Sequence, residues 1–459
     1  MILLRYRVRH TLAATLLAAL TGVLFGTPES AAAQQPAVTL TLGGAARLAA
    51  ERSAGTEIAR FRMDQADARL RQRRAEFLPS IMAAVGESEH TFNSASFGIS
   101  FADPVSGKSL FNPNGQVLGP VKIWDVRGTL RQSVFDPGAF ARMRAARASA
   151  GAIGTEANGA AQQAAALAAA SYVRALRADA QWLARTADST LAAELLGIAR
   201  DQLAAGMGIA LDVTRARSQL SAAHSQLIAA RIERDRARLD LVRALNLPLG
   251  TVVALGDSLR AAPANGELPS IAEALDRATR TRADLKTIGE QITAAERQLD
   301  AVRAENLPSL SAFADHGPTG GAPNHLLGTY AWGLQISVPI FDGFRREGRM
   351  DEQRASIREL DARRREITQQ AAADVSAALL DLSAAGEQLA AADERFGLAE
   401  QELAQARDRF RAGVSGNADV IAASLALNAA RTQVVDARAG VLAARVSLHR
   451  AQGNVTDLP

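Results

Sequence analysis

Few side chains in this sequence are of a kind and spacing that could do chemistry. The 459 residues include six histidines and no cysteine, so a disulfide framework, a thiolate metal site and a cysteine nucleophile are excluded. His316 and His325 share a Gly- and Pro-rich segment but lack partners at helical spacing, which reads as a solvated loop and not as a metal site. No phosphate-cradling Gly loop, H-E-x-x-H or G-x-S-x-G pattern occurs. Runs such as Arg363-Arg364-Arg365-Glu366 have the composition of a solvated helix face. No catalytic set, no metal site and no cofactor are expected. The carboxylates that stand out are Asp212 and Asp419, because each follows a turn glycine at the same distance (212 − 206 = 6 and 419 − 413 = 6). On their own they read as caps of the helices that return from those turns.

The two aspartates belong to a duplication. Arg200, Asp201, Ala205, Gly206, Asp212 and Val213 recur in order as Arg407, Asp408, Ala412, Gly413, Asp419 and Val420. Upstream, Glu76-Phe77-Leu78-Pro79-Ser80 recurs as Glu305-Asn306-Leu307-Pro308-Ser309, and Phe135-Asp136 recurs as Phe341-Asp342. Three landmarks in one order define two repeats, 34–247 and 270–459, joined by a less regular segment, 248–269. Each repeat opens with a helical stretch, about Thr41 to Phe77 and about Ser270 to Asn306. A Leu-Pro-Ser ends it, because the residue before a proline is pushed towards extended geometry.

Extended regions follow at 80–135 and 309–341, then long Pro-free stretches of helix-forming residues. We expect outgoing helices at 137–205 and 343–411 and return helices at 212–247 and 418–452. Asp136 before Pro137, and Asp342 before Gly343, read as N-caps. Ala205-Gly206-Met207-Gly208 and Ala412-Gly413-Val414-Ser415-Gly416 read as the turns. A helix over 137–205 is about 100 Å long, more than one globular core requires. Val420, Leu427, Val434, Val441 and Leu448 recur every seventh residue, with Val213, Leu220 and Leu227 in the same phase. That period fits helices wound around partners as coiled coils, although the period alone leaves an ordinary bundle helix open.

The extended regions alternate. Tyr330, Trp332, Leu334, Ile336, Val338 and Ile340 fall on one face of the second, and Trp124, Val126, Leu130 and Val134 on one face of the first. Asp125, Arg127, Thr129, Arg131 and Ser133 take the opposite face. Such strands suit a barrel with lipid outside and water inside, and they have the roughly 9–11 residues a tilted span needs. Tyr330, Trp332 and Trp124 fall at the same end, as an interfacial aromatic belt would. Partner strands start near Ile81 and Leu310, with hairpin loops at Asn93 to Pro120 and His316 to Gly328. Four strands cannot close around water, whereas three chains would supply twelve, so a homotrimer is expected.

The amino terminus sets the compartment. Arg5, Arg7 and Arg9, the apolar run Leu12 to Leu20, and Ala31-Ala32-Ala33 read as a secretory signal peptide over 1–33, removed before folding. It carries +3 − 1 = +2 of the chain's net charge of +4, so the basic balance is no evidence for a nucleic-acid partner.

Together the duplicated order, the Leu-Pro-Ser exits, the Phe-Asp entries and the Ala-Gly…Asp-Val turns resemble the outer-membrane efflux protein family, the TolC-like channel-tunnels. The resemblance implies a mainly α fold with a small β part: a coiled-coil helical tunnel plus four transmembrane β-strands per protomer, closed as a trimeric 12-stranded barrel in the outer-membrane lipid. It implies an exit channel for a tripartite efflux pump or a type I secretion system, with the tunnel in the periplasm. The tips around Ala205, Gly206, Met207, Gly208, Asp212, Ala412, Gly413 and Val414 would dock a membrane-fusion adaptor, whose inner-membrane pump is of RND, ABC or MFS type. Asp419 matches the first acid of the family's periplasmic gate ring. The usual second acid is Ala422 here, and Phe410 and Ser415 stand where the latch Tyr and Arg would be. Gate and cap both remain open for Asp419. A periplasmic coiled-coil scaffold that never inserts is the alternative to a channel.

Overall fold

The structure is a computed structural model that describes residues 38–97, 105, 115–259 and 269–459. The expected signal peptide, most of the first hairpin loop and the second half of segment 248–269 lie outside the described residues.

Each repeat runs helix, helix, strand, strand, long helix, return helix. The first comprises α1 (Leu42–Arg52), α2 (Ala54–Ala75), β2 (Ser80–Asn93), β3 (Val117–Phe135), α3 (Pro137–Ala204) and α4 (Ala210–Ala244). The second comprises α5 (Ile271–Thr281), α6 (Ala283–Ala304), β5 (Ser309–Ala322), β6 (His325–Ser337), α7 (Arg345–Arg411) and α8 (Asn417–Gln452). Between and before them, β1 (Val38–Leu40) pairs in parallel with β4 (Val253–Leu255). The 68 residues of α3 and 67 of α7 each span about 100 Å.

Several expectations are corrected. Each opening helix is broken in two. At Ser53 the backbone turns extended and the hydroxyl accepts a bond from Thr56 N (3.2 Å), capping α2. At Arg282 the guanidinium holds the break by bonding Asp284, Asp374 and the Ala451 carbonyl. Asp136 caps α3 through Ala139 N (2.9 Å), but Asp342 caps nothing: α7 starts three residues later, after Phe344 in the left-handed region, and Asp342 takes Arg346 Nε instead (2.8 Å). β5 and β6 run through most of the expected 316–328 loop, so His316 and His325 are strand residues and the turn is Pro323-Asn324. The small residues there permit close backbone approach: at Gly317 a Cβ would collide with the Val126 carbonyl. β6 ends at Ser337, opposite the first residue of β5, and Pro339 offers no N–H to extend the ladder, which leaves Val338 and Ile340 outside the strand.

One antiparallel sheet holds the four long strands in the order β2-β3-β5-β6. The helices that enter and leave it keep that order, since α2 packs on α3, α3 on α6 and α6 on α7. Towards the turns, α4 and α8 flank α3, and α7 packs on α8. The elements thus lie side by side as staves, with α3 and α7 the longest. The seven-residue series Val420, Leu427, Val434, Val441 and Leu448 is buried, because α8 lies between α3 and α7. Val213, Leu220 and Leu227 are only half-buried, because α4 is an edge helix.

The largest core lies midway, where α1, α3, α4 and α8 meet the short β1–β4 pair. Tyr172 anchors it: its hydroxyl donates to the Leu40 carbonyl (2.7 Å) and accepts from Asp257 N (3.2 Å), while the Asp257 carboxylate accepts from Leu42 N (2.7 Å). Burial pushes the Tyr172 phenol well above its ordinary value, so it remains a donor.

Candidate functional site: an uncovered sheet and two helical tips

The register sorts the sheet's side chains into two faces. Opposed residues share a face, so Ile81, Leu130, Ala314 and Trp332 form one row, and Ala83, Gly128, His316 and Tyr330 the next. Val85, Val126, Trp124, Leu334 and Ile336 lie on this same side. The expected lipid-facing residues from the two hairpins are therefore brought together on one apolar surface. The other side carries Met82, Thr129, Arg127, Asp125, Arg131, Asp315 and Thr329. There Arg127 bonds Asp125 (3.1 Å), Asp315 and Thr329 (3.2 Å), which ties β3 to β5 and β6.

Neither face is covered by another element. Ile81 is 79% exposed and Trp332 76% on the apolar side, and Met82 is 67% exposed on the polar side. Contiguous apolar surface of this kind marks a membrane or partner interface. Its height fits a bilayer. From Phe135 to Trp124 is 135 − 124 = 11 residues, about 36 Å along a strand and about 28 Å when tilted by roughly 40°, against the ~25 Å apolar band of outer-membrane barrels. From the level of Trp124 outward the same face turns polar, with Glu87 opposite Trp124 and Glu89 opposite Lys122; Lys122 pairs with Glu87 and its ammonium stands 5.8 Å from the Trp124 ring. The aromatics do not form one belt. Tyr330 is level with Gly128, four residues from Trp124 along β3, or about 13 Å, because the ladder sets the levels from the Leu-Pro-Ser exits.

Helix meets sheet through a duplicated joint. Glu76 accepts from Arg142 (3.0 Å) and Arg73 (2.8 Å) in the first repeat, and Glu305 accepts from Arg349 (2.7 Å) in the second. Both arginines were missed as site residues, yet the offset 349 − 142 = 207 equals that of the turns and could have found them. Partial burial raises the Glu76 carboxyl, but the two guanidinia outweigh it and hold the group below its usual value. A depressed carboxyl contributes stability above its unfolded value, about 4.3, and that contribution fades as pH falls through the folded value. We therefore expect Arg142→Ala to cost about 1.5–3 kcal/mol at neutral pH and to shrink the stability lost on acidification to pH 3. Denaturant unfolding at the two pH values checks both; an equal cost at each would separate the joint from its charge.

At the far end both turns have one geometry. Met207 N bonds Gln202 O (2.9 Å) and Gly206 N bonds Leu203 O (3.1 Å); Val414 N bonds Arg409 O and Gly413 N bonds Phe410 O (both 3.0 Å). This double closure needs a left-handed residue, and Gly206 (φ +74°) and Gly413 (φ +70°) supply it. Ala205 and Ala412 end the long helices, and Met207 and Val414 stand exposed at the apices. Gly208 sits tight against the last turn of α3, where a Cβ would press on Gln202 and Leu203. The two tips are stitched together by side chains that sequence reasoning missed. Gln202 Nε2 donates to Phe410 O (2.9 Å), Asn417 Nδ2 to Asp212 O (2.9 Å), and Arg407 pairs with Glu194 (2.6 Å).

The capping roles of the two aspartates are overturned. Ile209 and Gly416 occupy the N-cap positions without a side-chain bond, and Asp212 and Asp419 lie in the first turn, where a carboxylate favours the positive helix end. Asp212 reaches Arg215 at 4.0 Å, and Asp419 is exposed. Phe410 does not project from the tip as a latch residue. It is 3% exposed, packed with Leu403 and Val420 in the core joining α3, α7 and α8. The Ser415 hydroxyl is buried without a hydrogen-bond partner. Higher along the same seam, Asp188 is buried between Arg185 (3.0 Å) and Arg431. Among the described residues no group of His, Asp or Glu is arranged to hold a metal, and no helix is long and apolar enough to cross a membrane.

A family model described as "Outer membrane efflux protein" matches residues 45–247 and 274–454, so it spans both repeats from α1 to the end of α8. The chain belongs to the outer membrane efflux protein family. No curated protein sequence matches it. The fold of this efflux protein is shared by solved outer-membrane channels, all at low identity. The MtrE outer membrane channel of Neisseria gonorrhoeae, solved in its open state, is 18% identical with a TM-score of 0.72, covering 90% of this chain and 89% of that one. VceC of Vibrio cholerae is 18% identical at a TM-score of 0.69, covering 90% and 96%. CmeC of Campylobacter jejuni is 16% identical at 0.69, covering 90% and 85%. As a member of the outer membrane efflux protein family, the chain belongs with transport proteins.

Proposed function

We propose that three copies of this efflux protein close edge to edge into a 12-stranded barrel in the outer membrane, continued by a helical tunnel across the periplasm. It conducts substrates passively to the exterior once an adaptor and inner-membrane pump dock at the tips. The observation that carries this reading is the single-layered sheet. Both of its faces are open, its edges β2 and β6 are unpaired within the chain, and its apolar side is as tall as a bilayer core. Pairing β2 of one copy with β6 of the next removes every edge. A periplasmic scaffold would leave that apolar side in water. The exposed apices Met207 and Val414, with Gly206, Gly208 and Gly413 shaping them, offer compact apolar knobs for an α-helical adaptor.

The absence of cysteine makes the test direct. Thr329→Cys on β6, combined in turn with single cysteines along residues 82–88 of β2, should yield intermolecular disulfides and a trimer ladder on a non-reducing gel. No cross-link at any pairing would sink the barrel. Asp419, exposed in the first turn of α8, is assigned to the gate: three carboxylates around one axis attract cations and resist closure. Asp419→Asn should lower cation selectivity in planar bilayers; an unchanged reversal potential would leave the aspartate a helix-end charge only.

A further inference from the structure

We propose that Arg131 forms an anion-binding ring on the inner wall of the barrel, just above its junction with the tunnel, and that this ring holds multivalent anions on their way out. The inference rests on the trimeric barrel reading. Arg131 lies on the polar side of β3, in the row of Ser80, Phe313 and Gly333. It lines a hollow of about 700 Å³ whose walls also present the hydroxyls of Thr129, Ser133 and Ser311, the amide of Gln335, and the carboxylates of Glu76, Asp136 and Asp315, the first two engaged by Arg142 and the third by Arg127. Cation, hydroxyl and amide donors around one hollow are the partners an oxyanion takes.

What sets Arg131 apart is its lack of a counter-ion. Of the two arginines on this face, Arg127 sits between Asp125 and Asp315 and engages both. Arg131 is exposed and pairs with no carboxylate. Assembly does not supply one. On the inner side β2 carries Ser80, Met82, Ala84, Gly86 and Ser88, and β6 carries Thr329, Ala331, Gly333 and Gln335, with no acid among them. Joining copies along those edges therefore leaves three guanidinia at one level without a directly paired carboxylate. Twelve strands about 4.8 Å apart and tilted by roughly 40° enclose a radius of about 12 Å. Less the length of an Arg side chain, each charge stands within the ~8 Å Debye length of the axis, so the three fields add where cargo passes. One turn of the ladder outward, each Asp125–Arg127–Asp315 cluster leaves one net negative charge.

The test uses purified full-length trimers in planar bilayers with inorganic tripolyphosphate added from the barrel side. Wild-type channels should show concentration-dependent block that weakens as KCl is raised. Arg131→Gln should weaken that block at least tenfold and move the reversal potential towards cations, and Arg131→Lys should restore much of both. Channels that conduct but are not blocked, or an Arg131→Gln channel blocked as well as wild type, would overturn the ring while leaving the barrel intact. Absence of any conductance would overturn the barrel itself, and the ring with it.

Discussion

Ile81→Arg should abolish accumulation of heat-resistant trimers in the outer membrane, whereas Met82→Arg, one residue further on, should leave them in place. The two side chains are almost equally exposed in the isolated chain, 79% and 67%, so neither change removes packing within the protomer. They differ only in the face they occupy. Ile81 shares the middle row of the apolar side with Leu130, Ala314 and Trp332, whereas Met82 shares a row with Thr129 and Asp315 on the polar side. An arginine facing lipid near the midplane costs about 2–4 kcal/mol per site, hence about 6–12 kcal/mol for a trimer, which exceeds what marginal stability tolerates. On the wetted face the same charge costs little. Membrane fractionation followed by gels of unheated and heated samples reads the outcome. Equal tolerance of both variants would mean that no bilayer meets this sheet.

A second large effect is expected in the helices. Asp188 is almost wholly buried between α3 and α8, neutralised by Arg185 and Arg431. Burial pushes its carboxyl up against the pull of those two guanidinia. Arg431→Leu removes the partner from across the seam but leaves Arg185 on Asp188, so it should cost about 1.5–3 kcal/mol at neutral pH, the loss of one charge-assisted hydrogen bond to a buried group. The sign of the pH dependence follows from the raised carboxyl. Such a group is best tolerated below its unfolded value, about 3.9, and its cost grows as pH rises through the folded value. Acidification should therefore rescue Arg431→Leu relative to wild type, and Asp188→Leu combined with Arg431→Leu should recover much of the loss at pH 7. A denaturation midpoint for Arg431→Leu that is independent of pH would remove Asp188 from the account.

Much of this architecture is legible from residue order because its signals are local. Pro79 and Pro308 stop helices, Asp136 before Pro137 starts one, and Gly206 and Gly413 supply the left-handed turns. Alternation at 124–134 and 330–337 shows two faces, and the register then joins them on one side. What escaped depends on partners distant in sequence. The ladder with β5 and β3 overrode the loop-like composition of 316–328, and Pro339 cut β6 short of Ile340. Asp342 sits where Asp136 does, yet Arg346, one turn on, draws it away from the cap. Phe410 looks like a latch position in one dimension and is core in three, because α8 returns across it. The Asp188–Arg431 pair spans 431 − 188 = 243 residues and leaves no periodic trace.

The seam between β3 and β5 has a consequence for biogenesis. Asp125 lies opposite Thr319, 319 − 125 = 194 residues later, so the two hairpins cannot join until nearly three quarters of the polypeptide has been delivered. During that interval the first hairpin presents a bare strand edge and a greasy surface to water, the circumstances that favour misassociation. Contacts so distant along the chain also form slowly. For the proposed barrel, insertion is thereby coupled in time to delivery of the second hairpin, and anything that keeps the first hairpin from self-association until then should raise the yield of assembled subunits.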